Sequence, residues 1–236
     1  MPYYNRPKDV VLALKSLQNQ THKNWKFAFV DDGSDEPGEL VVKNFFSEDD
    51  LSKVTFYNTG DTKEIKKQRV IDNPNTRGLK DKNAGPLFVP YFNDAMSCIE
   101  FDIALFLSDD DYLDIDYLKK LNNFYSRRLD VNYSYCNLVL FDQIEEGYVY
   151  SSKQNRFFCN LEILPHYNLD GSQVSWRKKC FVEGCKFPEY FHVYWDAEWF
   201  EVLYEKYGKC KYNNIIGQYK KFPHKSFYAR KVWKID

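Results

Sequence analysis

The 236-residue chain lacks the features that would place it in a membrane, a disulfide scaffold or a polyelectrolyte class. No apolar run approaches the roughly 20 residues that a membrane-spanning helix needs. No apolar leader opens the chain, since Met1 runs straight into polar residues. Neither sign of charge is in excess: 33 Lys and Arg stand against 34 Asp and Glu, a formal net charge of −1. A bulk electrostatic pull toward nucleic acid or an anionic surface is therefore missing. Cysteine is sparse. Cys98, Cys136, Cys159, Cys180, Cys185 and Cys210 form no close metal-binding pattern; four residues separate Cys180 from Cys185, and no second pair completes a zinc site. They read as reduced, mostly buried thiols of a cytoplasmic protein. Internal repeats, low-complexity tracts and a clean linker are also lacking, so one domain is the simplest division. Aromatic residues, by contrast, are plentiful. Nineteen Tyr and 19 Phe take the aromatic share to 18%, which excludes a disordered chain.

The chain is organised around Asp102 to Leu113. Five apolar residues, Ile103 to Leu107, form an unbroken run, the pattern of a strand buried on both faces. The run stops at Asp109, Asp110 and Asp111. Three adjacent carboxylates repel one another and are costly inside a core. At the carboxyl end of a parallel strand they meet solvent, a cation or a ligand, which is where open α/β sheets bind substrates. A helix N-cap accounts for one Asp of the region, Asp111 or Asp114, and not for three in a row.

Strand and helix patterns alternate around this centre. Val10, Val11, Leu14 and Leu17 predict an amphipathic helix from Lys8 to Gln20, and Trp25 to Val30 predicts a strand. That strand ends at Asp31-Asp32-Gly33-Ser34, again carboxylates followed by a turn. A helix over Glu39 to Phe46 and a strand over Val54 to Tyr57 follow. Asn58 to Asn83 reads as a long polar loop with one short helix near Glu64 to Val70. Helical spacing from Leu87 to Ile99 leads into the central strand. Beyond it come a helix through Tyr117 to Phe124 and a strand over Tyr133 to Phe141. The second half is less regular: short strands at Tyr148 to Tyr150 and Arg156 to Cys159, a strand from Gly171 to Trp176, and a helix from Asp196 to Tyr207 stopped by Gly208. Such alternation argues for a parallel sheet with right-handed crossovers.

Four segments carry a resemblance. They are Tyr4-Asn5-Arg6-Pro7; Ser16 to Thr21 followed by Val30-Asp31-Asp32-Gly33-Ser34; Leu107-Ser108-Asp109-Asp110-Asp111; and Trp195 to Phe200 at a helix start. In this order and spacing they resemble the inverting family 2 glycosyltransferases of the GT-A fold. The first three lie in the N-terminal half and are jointly specific. The resemblance implies an α/β GT-A domain over residues 1–236, with a Rossmann-like, mostly parallel central sheet flanked by helices. It also implies a nucleotide-sugar-binding half (1–113) and a smaller mixed acceptor-side half (114–236). Carried over by position, Tyr4 and the adjoining backbone hold the nucleobase, with Asp32 or Asp31 accepting its imide N–H, and Asn5 and Arg6 belong to the nucleotide-sugar-binding set. Asn93 joins the nucleotide-sugar contacts and Asp109 bonds the ribose. Asp110 ligates a divalent ion, Mn²⁺ or Mg²⁺, with Asp111 and His224 in the metal set. Asp196 is the general base and Glu198 its substitute; His224 and Ser226 belong to a loop closing over the diphosphate.

The chemistry suits these residue types. Cleaving a nucleotide-sugar puts negative charge on the diphosphate, and a hard cation held by carboxylates neutralises it. A carboxylate that takes the acceptor's proton contributes on the order of 10²–10⁴-fold. The expected donor is a UDP-sugar. The acceptor is a hydroxyl of a glycan or lipid-linked glycan, or of a hydroxymethylated DNA base, to which the basic aromatic tail from Lys220 to Lys234 would suit. The alternatives are a non-catalytic nucleotide-binding module and a nucleotidyltransferase. Simpler roles stand beside the functional ones: a turn cap for Asp31 or Asp32, a helix N-cap for Asp196, aromatic packing for His192, and core packing for Trp176, Trp195 and Trp199. The sequence departs from the family in three places. Trp195 stands where an acidic residue is usual. Leu87 stands near a basic position, for which the Lys80 to Lys82 loop is the substitute. Met1 leaves no room for the usual first strand, so the chain is expected to be truncated or minimal, or to fill that place with another segment.

Overall fold

The computed structural model describes residues 1–72, 89–144, 147–150, 169–189 and 195–221. The first strand, expected to be missing, is present in short form. Strand β1 (Pro2–Tyr3) pairs in parallel with β2 (Phe27–Asp31), with Pro2 opposite Val30 and Tyr3 opposite Asp31. On its other side β2 pairs in parallel with β3 (Val54–Asn58). Helix α1 (Val10–Gln18) buries Val10, Ala13, Leu14 and Leu17, the stripe its periodicity predicts. Helices α2 (Gly38–Phe45), α3 (Glu48–Leu51) and α4 (Lys63–Asp72) follow. The helix expected from Leu87 is shorter: a 3₁₀ turn at Val89–Tyr91, then α5 (Phe92–Ser97).

A second, six-stranded sheet holds β4 (Ile103–Leu105), β5 (Tyr112–Leu113), β6 (Tyr133–Ile144), β7 (Gly147–Tyr150), β8 (Val174–Arg177) and β9 (Lys211–Lys221). Its order is β4-β8-β6-β9-β5, with β7 on β6. Only β6 and β9 run parallel; the other pairs are antiparallel. The expected mostly parallel sheet is thus divided into a parallel three-stranded part and a mixed part. The central run is corrected in two ways. It extends as a strand only over Ile103–Leu105, and it pairs antiparallel with β8. All three residues are half-buried, not enclosed on both faces, because the far edge of β4 opens onto a cavity of about 340 Å³ that β2 lines from the opposite side. Helices α6 (Tyr117–Arg127), α7 (Lys178–Val182) and α8 (Trp195–Tyr207) complete the described elements. Gly171–Gln173, expected in a strand, is a 3₁₀ turn capped by Asp170. Arg156 to Cys159, the Lys80 to Lys82 loop, Leu87, His192, His224 and Ser226 lie outside the described residues.

Among the described residues, two apolar clusters form the interior. One gathers α1, β2, α2 and α6 around Leu14, Phe29, Tyr117 and Leu121. The other is aromatic and joins Phe92, Phe106, Trp176, Phe187 and Trp199, with Trp176 and Trp199 at 4.7 Å, edge to face. Both tryptophans are buried, so core packing is their role. The segment Ser16 to Thr21 acts as a stitch. Ser16 Oγ accepts from Leu113 N–H at 3.0 Å, and the fully buried Gln20 donates to Asp114 C=O (2.7 Å) and accepts from Leu118 N–H (3.1 Å). These bonds tie α1 to both ends of the segment following the three aspartates.

Strand β9 passes close over β6 and α6 at Gly217. A Cβ there would lie 2.4 Å from Cys136 Sγ and 2.7 Å from Tyr117 Cζ. Gly217→Ala is therefore expected to cost about 1–3 kcal/mol by overpacking. Urea unfolding measures this as a lower midpoint with an unchanged slope.

Candidate active site

The loop from Tyr3 to Arg6 is the hub of the site. Asp32 N–H donates to Tyr3 C=O (3.0 Å), so the strand-end carboxylates of β2 sit beside this loop. Asn5 adopts φ +51° and is held by three bonds. Its N–H donates to Ser34 Oγ (3.1 Å), its Nδ2 donates to Asp35 (3.0 Å), and its Oδ1 accepts from Asp35 N–H (2.9 Å). Asn5 thus clamps the loop after β1 to the loop after β2. Asp31 turns inward and accepts from Ser34 N–H (3.0 Å) and Gly38 N–H (2.7 Å), capping the start of α2. Of the two neighbouring aspartates, Asp31 takes the structural role.

Asp32 is fully buried and faces α4. Lys66, 1% exposed, lies 3.1 Å from its carboxylate, donates to its carbonyl, and stands 3.8 Å over the Tyr4 ring. Helix α4 reaches this place because the preceding turn docks on Gly33. With φ +68°, Gly33 leaves the Asp61 carbonyl 1.9 Å from where a Cβ would stand, a position only glycine fills.

The carboxylates of the central turn meet Arg6. Its guanidinium donates to Asp109 (3.2 Å) and Asp110 (2.9 Å), and Tyr4 N–H also bonds Asp109. Burial pushes the Asp109 carboxyl up to about 6; Arg6 opposes that shift and Asp110 reinforces it. Asp111 is almost wholly buried one residue further on. Asp32, Asp109 and Asp110 therefore converge on one loop, Tyr3 to Arg6. Asn93 has its side chain spent elsewhere: its amide exchanges two 3.0 Å bonds with the backbone of Phe187.

Asp196 lies in the first turn of α8. Its carboxylate accepts from Ala197 N–H (3.0 Å) and Gly171 N–H (3.2 Å). Burial, then the nearby Asp170, pushes it up to about 6. Asp170 binds Lys220 at 2.7 Å and accepts from Ser172. Burial works against the charge on Lys220, but Asp170, Asp111 and Asp110 outweigh it and hold its pKa above the ordinary lysine range. Lys220 is thus the shared neighbour of the central carboxylates and of the Asp170–Asp196 pair. The buried Gln218 positions this end by donating to Phe106 C=O and to Ser172 C=O (2.7 Å).

Sequence reasoning missed Lys66, Asp170 and Gln218, and singled out Lys220 only as the start of the basic tail. Only Asp170 carries a local signal, the capping-box spacing to Gln173. The other three are polar residues on elements whose buried side is set by distant partners. Among the described residues, no three carboxylate, imidazole or thiol groups converge as a ready-made metal cage. No described helix is long and apolar enough to cross a membrane.

Residues 1–79 match the model of glycosyl transferase family 2. In fold the whole chain is similar to TarS of S. aureus, with TM-score 0.64, 18% identity, and coverage of 100% of this chain and 39% of TarS. A 1–349 form of TarS in complex with UDP-GlcNAc matches at TM-score 0.63 and 16% identity, over 95% of this chain and 58% of that one. The mannosyltransferase PcManGT of Pyrobaculum calidifontis, in complex with GDP-Man and Mn²⁺, matches at TM-score 0.62 and 12% identity, over 99% and 59%. At such identities these are likenesses of fold. The chain spans between about two fifths and three fifths of the length of these proteins.

Removing one member of the buried Lys66–Asp32 pair leaves the other charge without its counter-ion. Lys66→Met is expected to lower unfolding free energy by about 3–5 kcal/mol. Adding Asp32→Asn should recover a large part of that loss, which a double-mutant cycle in urea measures directly.

Proposed function

We propose that this GT-A chain, whose residues 1–79 match the model of glycosyl transferase family 2, moves a sugar from a nucleoside diphosphate donor to an acceptor hydroxyl with inversion. The carrying observation is the joining, at one loop, of Asp109 and Asp110 with the guanidinium of Arg6, while Lys220 connects that group electrostatically to the half-buried Asp196. The first group handles a charged leaving group. The second takes a proton.

The donor's nucleobase sits beside Tyr4 and Asp32 in this reading. A carboxylate there accepts a ring N–H, which uracil and guanine carry and adenine and cytosine lack. Uridine is the proposed base. Asp109 bonds the ribose. Asp110, with Asp111 beside it, would hold a divalent cation. The donor set fits: these are hard oxygen ligands, Asp110 already meets a cation, Arg6, together with Asp109, and Mg²⁺ or Mn²⁺ ordinarily takes one or two carboxylates together with substrate phosphates. When bound, such an ion supplies charge neutralisation to the departing diphosphate.

Asp196 acts on the other reactant. As the acceptor oxygen bonds to the anomeric carbon, its proton passes to the Asp196 carboxylate. The bond from that carbon to the diphosphate oxygen breaks, and the pair of electrons leaves with the nucleoside diphosphate. A carboxyl raised to about 6 is a stronger base than an ordinary aspartate and is still largely ionised at neutral pH. The backbone N–H groups of Gly171 and Ala197 keep it aimed. Arg6 and Lys220 place positive charge around the carboxylate turn without themselves titrating near neutrality.

Three measurements test this. UDP-sugars are screened with Mn²⁺ for sugar release, with GDP-, ADP- and CDP-sugars alongside. Uridine donors are expected to be turned over, and adenosine and cytidine donors not. Asp196→Asn is expected to lower kcat by about 10²–10⁴-fold while calorimetric donor binding persists; activity within about threefold of the parent would exclude Asp196 as the base. Because the base works deprotonated, kcat/KM should fall as pH drops through about 6 and level off above neutrality. Asp109, raised to a similar value, loses charge in the same window, so donor binding is titrated separately.

A further inference from the structure

Arg6 meets both carboxylates of the central turn through a single nitrogen, Nη1, at 3.2 Å from Asp109 and 2.9 Å from Asp110. A guanidinium grips a carboxylate most firmly through two parallel N–H groups; here one nitrogen is divided between two residues. The contact is also open to water. The side chain of Arg6 is 47% exposed and that of Asp110 32%, against 11% for Asp109. Ion pairs this exposed hold weakly, because water screens them and a long side chain loses freedom in keeping one geometry. The backbone beneath is held independently. Val10 N–H donates to Arg6 C=O (3.1 Å), and Asn5 is fastened to Ser34 and Asp35. The guanidinium can therefore leave the turn while the loop stays in place. Asp109 keeps a partner when it does, since Tyr4 N–H bonds it.

We propose that Arg6 is a resident counter-ion of this turn, which yields Asp110 to a divalent cation and passes its guanidinium to the diphosphate of the donor. The inference rests on the transferase reading of the site and adds an order of events to it. Neighbouring carboxylates need positive charge beside them to stay ionised together. Arg6 supplies it before any substrate arrives. A guanidinium and a divalent cation cannot share one carboxylate at close range, because like charges there repel strongly. Lys220, which also faces the turn, is 23% exposed and pairs with Asp170 at 2.7 Å, so Arg6 is the more loosely held of the two. Once displaced, the tethered guanidinium needs another anion. A diphosphate gathered on the same cation lies within its reach, and the planar fork of arginine matches phosphate oxygens. Cation and nucleoside diphosphate then bind cooperatively, each lowering the cost the other meets. A cation alone is weakened by the fraction of time that Arg6 holds Asp110.

The test measures Mn²⁺ binding to the full chain by paramagnetic resonance of the free ion, for the parent and Arg6→Gln, with and without UDP. Values with UDP are corrected for the Mn²⁺ it binds in solution. Without nucleotide, Arg6→Gln is expected to bind Mn²⁺ about tenfold tighter than the parent, or more. UDP should tighten Mn²⁺ binding to the parent by about tenfold or more, and to Arg6→Gln by less than about threefold. Equal Mn²⁺ affinity of the two chains without UDP would overturn the proposal and leave the transferase reading intact. An equal effect of UDP on both would overturn the passage to the diphosphate, and the proposal with it. No Mn²⁺ binding to either chain, with or without UDP, would overturn the proposal together with the cation's part in the reading; the base is tested separately through Asp196→Asn. Should Arg6→Gln fail to fold, Arg6→Lys replaces it, keeping the charge and losing the fork. That variant is expected to bind Mn²⁺ alone within about threefold of the parent and to lose most of the coupling to UDP. Coupling as large as the parent's would overturn the proposal.

Discussion

The contact on which the site depends is that of the Arg6 guanidinium with the carboxylates of Asp109 and Asp110. Over a hundred residues separate the partners in the chain, and each comes from a loop. Three adjacent carboxylates at a turn are mutually repulsive, and Asp109 is driven toward its neutral form by burial. A cation against this turn is what lets it persist close to the interior. Arg6 can be that cation because Asn5 fixes the loop before it, in a left-handed conformation that Asn tolerates better than most residues.

From there the architecture can be followed outward as a series of clamps between loops. Asp31 caps α2, Gly33 admits the turn before α4, and α4 delivers Lys66 onto Asp32 and Tyr4. Ser16 and Gln20 hold the far side of the aspartate turn through Leu113, Asp114 and Leu118. Gln218 and Asp170 then set the position of Gly171, whose N–H steadies Asp196. Each clamp is a side chain bonding the backbone or the charge of a different loop, so the geometry at the carboxylates is supported from several elements at once.

The electrostatics divide the carboxylates by environment. Asp31 is satisfied by two amides and Asp170 by a lysine, and both remain anchors. Asp109, buried, and Asp196, half-buried, have less compensation and are raised toward the range in which proton transfer and ligand exchange occur near neutrality. Lys220 balances the second group through Asp170 while also facing the first. Identical side chains thus acquire different chemical characters from burial and from their nearest charges.

The alternation of strands and helices, the stripe of α1, the turn at Asp31 to Ser34 and the halting of an apolar run at three aspartates were all legible in the chain, because they arise from local periodicity and turn chemistry. The positions of Asp109, Asp110 and Asp196 at element ends were legible for the same reason. The short first strand was not: two residues, one of them proline, carry no periodicity, and β1 exists only because β2 offers it a partner. Nor did apolar content reveal that β4 pairs antiparallel with β8 and leaves one edge open, since pairing direction depends on a strand some 70 residues away. Lys66, Lys220 and Gln218 look like surface residues in sequence, and only the docking of their elements buries Lys66 and Gln218 and half-buries Lys220. Composition and local pattern determined which segments form and where carboxylates end them; long-range packing alone decided which charge met which partner, because burial and electrostatic compensation depend on neighbours brought together by the fold.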